Sequence, residues 1–102
     1  MSLFWISEKM QFDTPTNFAV AVTSTGKEIL AANSDRKYAV LINNSAVDAF
    51  VALGAAATTG SGILLKANGG TYEISGTRGN LYKGAINGKS TAASSIVGVE
   101  GK

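Results

Sequence analysis

The chain contains no histidine and no cysteine. Ser–His and Cys–His nucleophilic systems are therefore impossible, and any metal site would rest on carboxylates alone. The seven acids are Glu8, Asp13, Glu28, Asp35, Asp48, Glu73 and Glu100, and no two lie within four positions of each other. A calcium loop needs several oxygen ligands in one short segment, and nothing here supplies them. Asp35 and Asp48 could meet in space, yet an acid pair of the glycosidase kind has no support in the spacing. The stretch Gly84-Ala85-Ile86-Asn87-Gly88-Lys89-Ser90 ends like a phosphate-binding loop. It has three residues between its glycines where that loop needs four, and the residues after it read as a strand instead of a helix. Gly60-Ser61-Gly62 is a lone glycine pair without a βαβ context. Asn43-Asn44-Ser45 fits a glycosylation sequon and carries no weight without a secretory signal. Tyr38, Tyr72, Tyr82 and Trp5 could build a sugar-stacking platform, but Tyr38 and Tyr72 both read as inward-facing core residues. Nothing in this inventory is catalytic, and no cofactor or metal is expected.

Charge gives no stronger lead. Nine basic residues face seven acidic ones, and only 16% of the chain is charged, against about 25% in an average soluble domain. The basic residues are spread along the chain near turns, whereas nucleic-acid binders gather them on one face, so no nucleic-acid partner is expected. No run approaches the roughly 20 apolar residues of a membrane span. Leu3 to Ile6 is too short for the apolar region of a secretory signal, and Glu8 follows it. The reading is a soluble protein or part of a soluble assembly, with no membrane partner.

The elements that must position these residues are strands. With 102 residues there is room for one domain, and 46 of them are Ala, Gly, Ser or Thr. The apolar period is two: Phe18, Val20 and Val22 share one face, as do Tyr72 and Ile74, with Thr71 and Glu73 opposite. Tyr38 to Ile42 is apolar on both faces and reads as a central strand. Lys27–Leu30, Ala49–Leu53, Gly62–Lys66, Leu81–Ile86 and Ser95–Val99 complete the set. Turn clusters separate the runs, among them Ser24-Thr25-Gly26, Asn33-Ser34-Asp35 and Asn68-Gly69-Gly70. Asn87-Gly88 reads as a type I′ hairpin turn joining the last two strands. Gly54–Ser61 could hold a single helical turn at Ala55-Ala56-Ala57, but its flanking glycines favour a loop. The fold class is all-β: one β-sandwich or jelly-roll-like domain of about eight short antiparallel strands, over residues 17–102.

Residues 1–16 differ in character and read as an N-terminal arm, with Pro15 marking a break before the first firm strand. Leu3, Phe4, Trp5, Ile6, Met10 and Phe12 cannot rest comfortably in water, since burying each large side chain is worth about 1.5–3 kcal/mol. Two destinations are open. The arm closes the protein's own sheet, or it docks on a neighbouring subunit, where Trp and Phe are frequent anchors.

The run Glu28-Ile29-Leu30-Ala31-Ala32-Asn33-Ser34-Asp35-Arg36-Lys37-Tyr38-Ala39-Val40-Leu41-Ile42-Asn43-Asn44 resembles the "ILAAN…R…ILNN" core of small structural proteins of tailed bacteriophages. Val51-Ala52-Leu53-Gly54, Gly60 to Leu65, Gly69 to Ile74, Leu81 to Ile86 and Ile96 to Glu100 continue the pattern in order, so the likeness spans residues 18 to 100. It is a pattern of strands and turns with no catalytic signature. The resemblance implies a non-enzymatic virion component, made in the host cytoplasm and carried on the capsid surface. Its role there would be that of a cement or decoration protein that binds the major capsid protein of the mature head. A homo-oligomer, with a trimer as the guess, follows from the habit of such proteins to cluster at symmetry axes. A tail or fibre module that holds a receptor or carbohydrate is the alternative. The contact residues expected on this reading are Phe4, Trp5, Ile6 and Phe12, then Asp35 and Arg36. For the last two, a buried Arg–carboxylate contact competes with a turn-stabilising Asp beside a solvated Arg, the latter being favoured.

Overall fold

The computed structural model describes residues 11–102, and these form eight strands. They are β1 (Pro15–Val22), β2 (Lys27–Leu30), β3 (Tyr38–Asn43), β4 (Ala49–Leu53), β5 (Ile63–Leu65), β6 (Thr71–Ser75), β7 (Ile86–Ser90) and β8 (Ser94–Gly101). All pairings are antiparallel. They give a first sheet ordered β1-β8-β3-β6 and a second ordered β2-β7-β4-β5. Apolar side chains from the inner face of each sheet interleave, which makes the domain a small β-sandwich. Val22, Ala39, Leu41, Ile74 and Ile96 come from the first sheet, and Ile29, Leu30, Ala49, Val51, Leu65 and Ile86 from the second.

Alternation along the strands sets which side chains enter the core. In β3, Ala39, Leu41 and Asn43 are buried while Tyr38, Val40 and Ile42 are half-buried on the outer side. Asn43 is the polar member of the inner set, and its amide group is fully used. It donates to the carbonyls of Val47 (2.7 Å) and Leu65 (2.9 Å) and accepts from the Ser45 hydroxyl (2.6 Å). A buried amide satisfied in this way holds the turn after β3 without an unpaired-group penalty. The Asn68-Gly69-Gly70 cluster is a turn as its composition predicts, with Asn68 in the left-handed region at φ 62°. Gly54–Ser61 is a loop, held by the Gly54 N–H on the Ala85 carbonyl (2.9 Å) and the Asn87 amide on the Ala55 carbonyl (2.7 Å).

Three local expectations are corrected. Asn87-Gly88 is no hairpin turn: both residues lie inside β7, and β7 and β8 belong to different sheets. Ile86, Gly88 and Ser90 of β7 are buried. A Cβ built on Gly88 would come within 2.6 Å of Ile29 Cδ1. This glycine thus serves close packing under β2, not a reversal of the chain. The true connection is Thr91–Ala93, where the Ser90 and Ser94 hydroxyls both donate to the Val22 carbonyl, at 3.2 and 3.1 Å. The expected strand over Leu81–Ile86 is reduced to its last residue, because the carbonyls of Tyr82, Lys83 and Gly84 are taken up outside any ladder. Tyr38 faces outward, since an apolar run with two apolar faces leaves its orientation open and the core takes the smaller Ala39. Pro15 opens β1 opposite Gly101, a strand start where its missing N–H is tolerated.

Candidate interface at the corner where the chain enters the sandwich

The chain enters the fold beside its own C-terminus. The N–H groups of Asp13 and Thr14 both donate to the Lys102 carbonyl (2.9 and 2.8 Å), and the Lys102 N–H returns to the Thr14 carbonyl (3.1 Å). Phe12 lies just ahead of this clasp, with its ring stacked on Tyr38 at a centroid distance of 5.3 Å and 16° between planes. A Cβ on Gly101 would collide with the Phe12 ring. The seat therefore depends on a bare backbone at the end of β8 as well as on the tyrosine face.

Tyr38 is fixed from the other side. Its hydroxyl donates to Glu73 Oε2 (2.6 Å), and Arg78 Nε donates to Glu73 Oε1. The bond to Glu73, then partial burial and the nearby negative charge, hold the Tyr38 hydroxyl above its ordinary pKa. The same bond, followed by the one from Arg78, holds the Glu73 carboxyl below the usual range. The two shifts agree in sign with a single hydrogen bond that favours protonated tyrosine and ionised glutamate. A hollow of about 350 Å³ opens here, lined by Gln11, Phe12, Tyr38, Glu73, Ser75 and Thr77.

Two residues before Tyr38, the Arg36 side chain is fully buried. Its Nε donates to Glu100 Oε2 of β8 (2.7 Å), Nη1 to the carbonyls of Tyr82 (2.8 Å) and Gly84 (3.0 Å), and Nη2 to that of Ala31 (2.7 Å). One planar guanidinium thus bolts the loop after β2 and the segment before β7 to β8. The favoured expectation of a solvated arginine is corrected: the buried Arg–carboxylate contact forms, and it forms within the chain. The expected turn-stabilising role of Asp35 is also reassigned, because Asn33 Oδ1 accepts from the Asp35 N–H (3.0 Å). Asp35 itself is exposed. It lines an open cleft of about 490 Å³ with Asp13, Thr14, Ser34, Lys37, Lys83 and Lys102.

Of the residues expected to make contacts, Phe12, Asp35 and Arg36 come together at this one corner, as a surface aromatic, a surface carboxylate and a buried bolt. Phe4, Trp5 and Ile6 lie outside the described residues. Sequence reading turned Tyr38 into the core, and missed Glu73 as its partner and Glu100 as the partner of Arg36. The outward position of Glu73 in β6 was a usable signal. Nothing marked Glu100, which reaches Arg36 only through the β3–β8 pairing.

Chemically the corner offers an aromatic shelf, three carboxylates (Asp13, Asp35 and Glu73) and three lysines around open clefts. Among the described residues no group of three acidic, histidine or cysteine side chains converges to hold a metal ion, and no helix is long and apolar enough to cross a membrane. Comparison of the chain with protein-family models, with curated proteins and with solved structures finds no match.

Proposed function

We propose that this chain is a virion structural protein: a capsid cement or decoration protein that binds the major capsid protein of the mature head of a tailed bacteriophage. The observation that carries the reading is the rooting of the N-terminal segment. Phe12 and the Asp13–Thr14 clasp hold its base against one corner of a domain with an apolar core and a polar bolt among the described residues. The apolar residues that precede it in the sequence, Leu3, Phe4, Trp5 and Ile6, are the ones this reading assigns to contacts with neighbouring subunits. The sequence resemblance to small phage structural proteins, over strands and turns, supports the same assignment. The mechanism is differential binding. A site present only on the mature shell is occupied, and mass action then shifts the equilibrium toward the intact shell. Clustering of several copies around a symmetry axis, as a trimer, would add contacts at each site.

The test is the copy number of the polypeptide in purified particles from its source, by quantitative mass spectrometry. Hundreds of copies per particle are expected for a shell-wide cement. A handful would move the protein to the tail or a fibre, with a receptor or carbohydrate as its ligand. Its absence from particles would overturn the virion reading.

A further inference from the structure

The two sheets end in four edge strands, β1, β6, β2 and β5, and three of these edges are protected. At the β6 edge the Asn80 side chain occupies two backbone groups. Its Nδ2 donates to the Glu73 carbonyl (2.9 Å), and its Oδ1 accepts from the Ser75 N–H (3.0 Å). β2 is four residues long, opens with Lys27 and Glu28, and shifts register between Glu28 and Leu30. β5 has only three residues. Short length, charge, a register break and a covering loop all keep a sheet edge from recruiting another strand. Among the described residues β1 has no such device beyond Pro15, whose missing N–H blunts the first position only. It runs eight residues in unbroken register on β8, and no charged residue lies between Asp13 and Lys27.

The phase of the β1–β8 ladder decides which backbone groups of β1 are left over. Thr14 and Lys102 exchange both of their bonds, at 2.8 and 3.1 Å, and hydrogen-bonded pairs recur at every second residue of an antiparallel ladder. Thr16, Phe18, Val20 and Val22 therefore also turn their backbone groups toward β8. Asn17, Ala19 and Ala21 turn theirs the other way, and these three N–H and three C=O groups have no partner among the described residues. All three residues are exposed. Phe18 and Val20, on the core side of the same strand, are only half-buried.

We propose that the open edge of β1 is the docking site for β1 of a second copy of this chain, paired antiparallel about a two-fold axis at Ala19. Self-complementarity selects this occupant. With Ala19 opposite the partner's Ala19, Asn17 meets the partner's Ala21 and Ala21 meets the partner's Asn17, so every leftover backbone group on both copies is used at once. The same register sets Phe18 against the partner's Val20, and Val20 against the partner's Phe18. These are the closer, non-hydrogen-bonded positions, where aromatic and β-branched side chains pair well. On the other side of the strand only Asn and Ala meet, so nothing bulky or charged opposes the approach. Two four-stranded sheets become one continuous sheet through a closed, isologous contact. The contact forms between free chains and does not draw on the virion reading.

Amide hydrogen exchange on the unmodified full chain, read across a range of protein concentrations beside sedimentation velocity, tests both the edge and its occupant. The amides of Phe18 and Val20 are expected to be protected at every concentration, since β8 holds them. Those of Asn17, Ala19 and Ala21 should exchange freely in dilute solution and gain about tenfold or more in protection as the dimer forms. Fast exchange of these three amides at every concentration, or a chain that stays monomeric, overturns the proposal. Protection of the three amides in the monomer overturns the choice of occupant, because a segment of the same chain would then cover the edge. Charge variants test the register. Ala19→Lys sets like charges opposite each other at the axis and Ala19→Glu does so with the other sign, so each alone is expected to weaken the dimer several-fold. Mixed together, the two should restore it as a heterodimer. Ala19 is exposed, so each variant should keep the wild-type circular dichroism. Folded variants that each dimerise as well as the wild type would place the contact elsewhere and overturn the proposal.

Discussion

Arg36 concentrates more of the fold's polar energetics than any other described side chain, with a carboxylate and three carbonyls on one guanidinium. Removing one partner of a buried ion pair costs about 3–5 kcal/mol, so Arg36→Ala is expected to lose that much in chemical denaturation. Arg36→Lys should recover only part of it, because a point charge cannot serve three directions in a plane. Glu100→Gln keeps an acceptor and should cost less than either change. The Tyr38–Glu73 pair makes a second prediction at this scale, in pH. Glu73 titrates below its ordinary range when folded, so its contribution is complete above the unfolded carboxyl value and is lost as pH falls through the lowered one. Tyr38 titrates above its ordinary value, so its contribution is complete below the unfolded phenol value and is lost as pH rises through the raised one. In Tyr38→Phe the Glu73 carboxyl is expected to move up toward the usual range in an NMR titration, and the alkaline loss of stability attributed to this phenol should vanish.

At the scale of elements, β7 shows how packing overrules local turn chemistry. Asn-Gly is among the strongest hairpin signals in a sequence, yet here Gly88 packs beneath Ile29 of the neighbouring strand β2 and Asn87 pins the loop after β4. Gly88→Ala should overpack this contact and cost about 1–3 kcal/mol. Ile29→Val removes the obstructing methyl group, so the double variant is expected to be more stable than the sum of the single changes implies, by a double-mutant cycle on denaturation midpoints. The strand pattern was otherwise legible: Lys27–Leu30 and Ala49–Leu53 were read to their observed ends. Leu81–Ile86 failed because its alternation is real but its carbonyls bond a side chain that comes from 46 residues away. No window along the chain contains that information. The Phe12 seat was half legible. Its apolarity marked it as a contact residue, while the Tyr38 shelf and the bare Gly101 beneath it appear only once β3 and β8 pair.

For the whole molecule, the order of strands matters most. Among the described pairings only β4–β5 joins strands adjacent in sequence; every other ladder connects distant segments. Loop closure must precede most of the stabilising contacts, so folding is expected on the millisecond-to-second scale typical of all-β sandwiches. Stopped-flow circular dichroism would check this, and a microsecond phase carrying the full amplitude would contradict it. Phe12→Ala should lower the thermal midpoint only modestly, since the ring is partly exposed. Under the proposed function it should weaken attachment to mature heads far more, as measured by cosedimentation, because it loosens the base of the N-terminal segment.

Taken alone, the residues determined the class and the rhythm of this protein. A period of two, turn clusters between apolar runs and a chain built from small side chains leave an antiparallel β domain as the consistent solution, because those signals act over neighbouring residues. They also marked Phe12, Asp35 and Arg36 as unusual. Which strand lies beside which, which side of β3 faces the core, and that Arg36 is buried against Glu100 were decided by tertiary structure. Those outcomes depend on competition for one shared interior, where volume and hydrogen-bond satisfaction are settled among residues far apart in the chain.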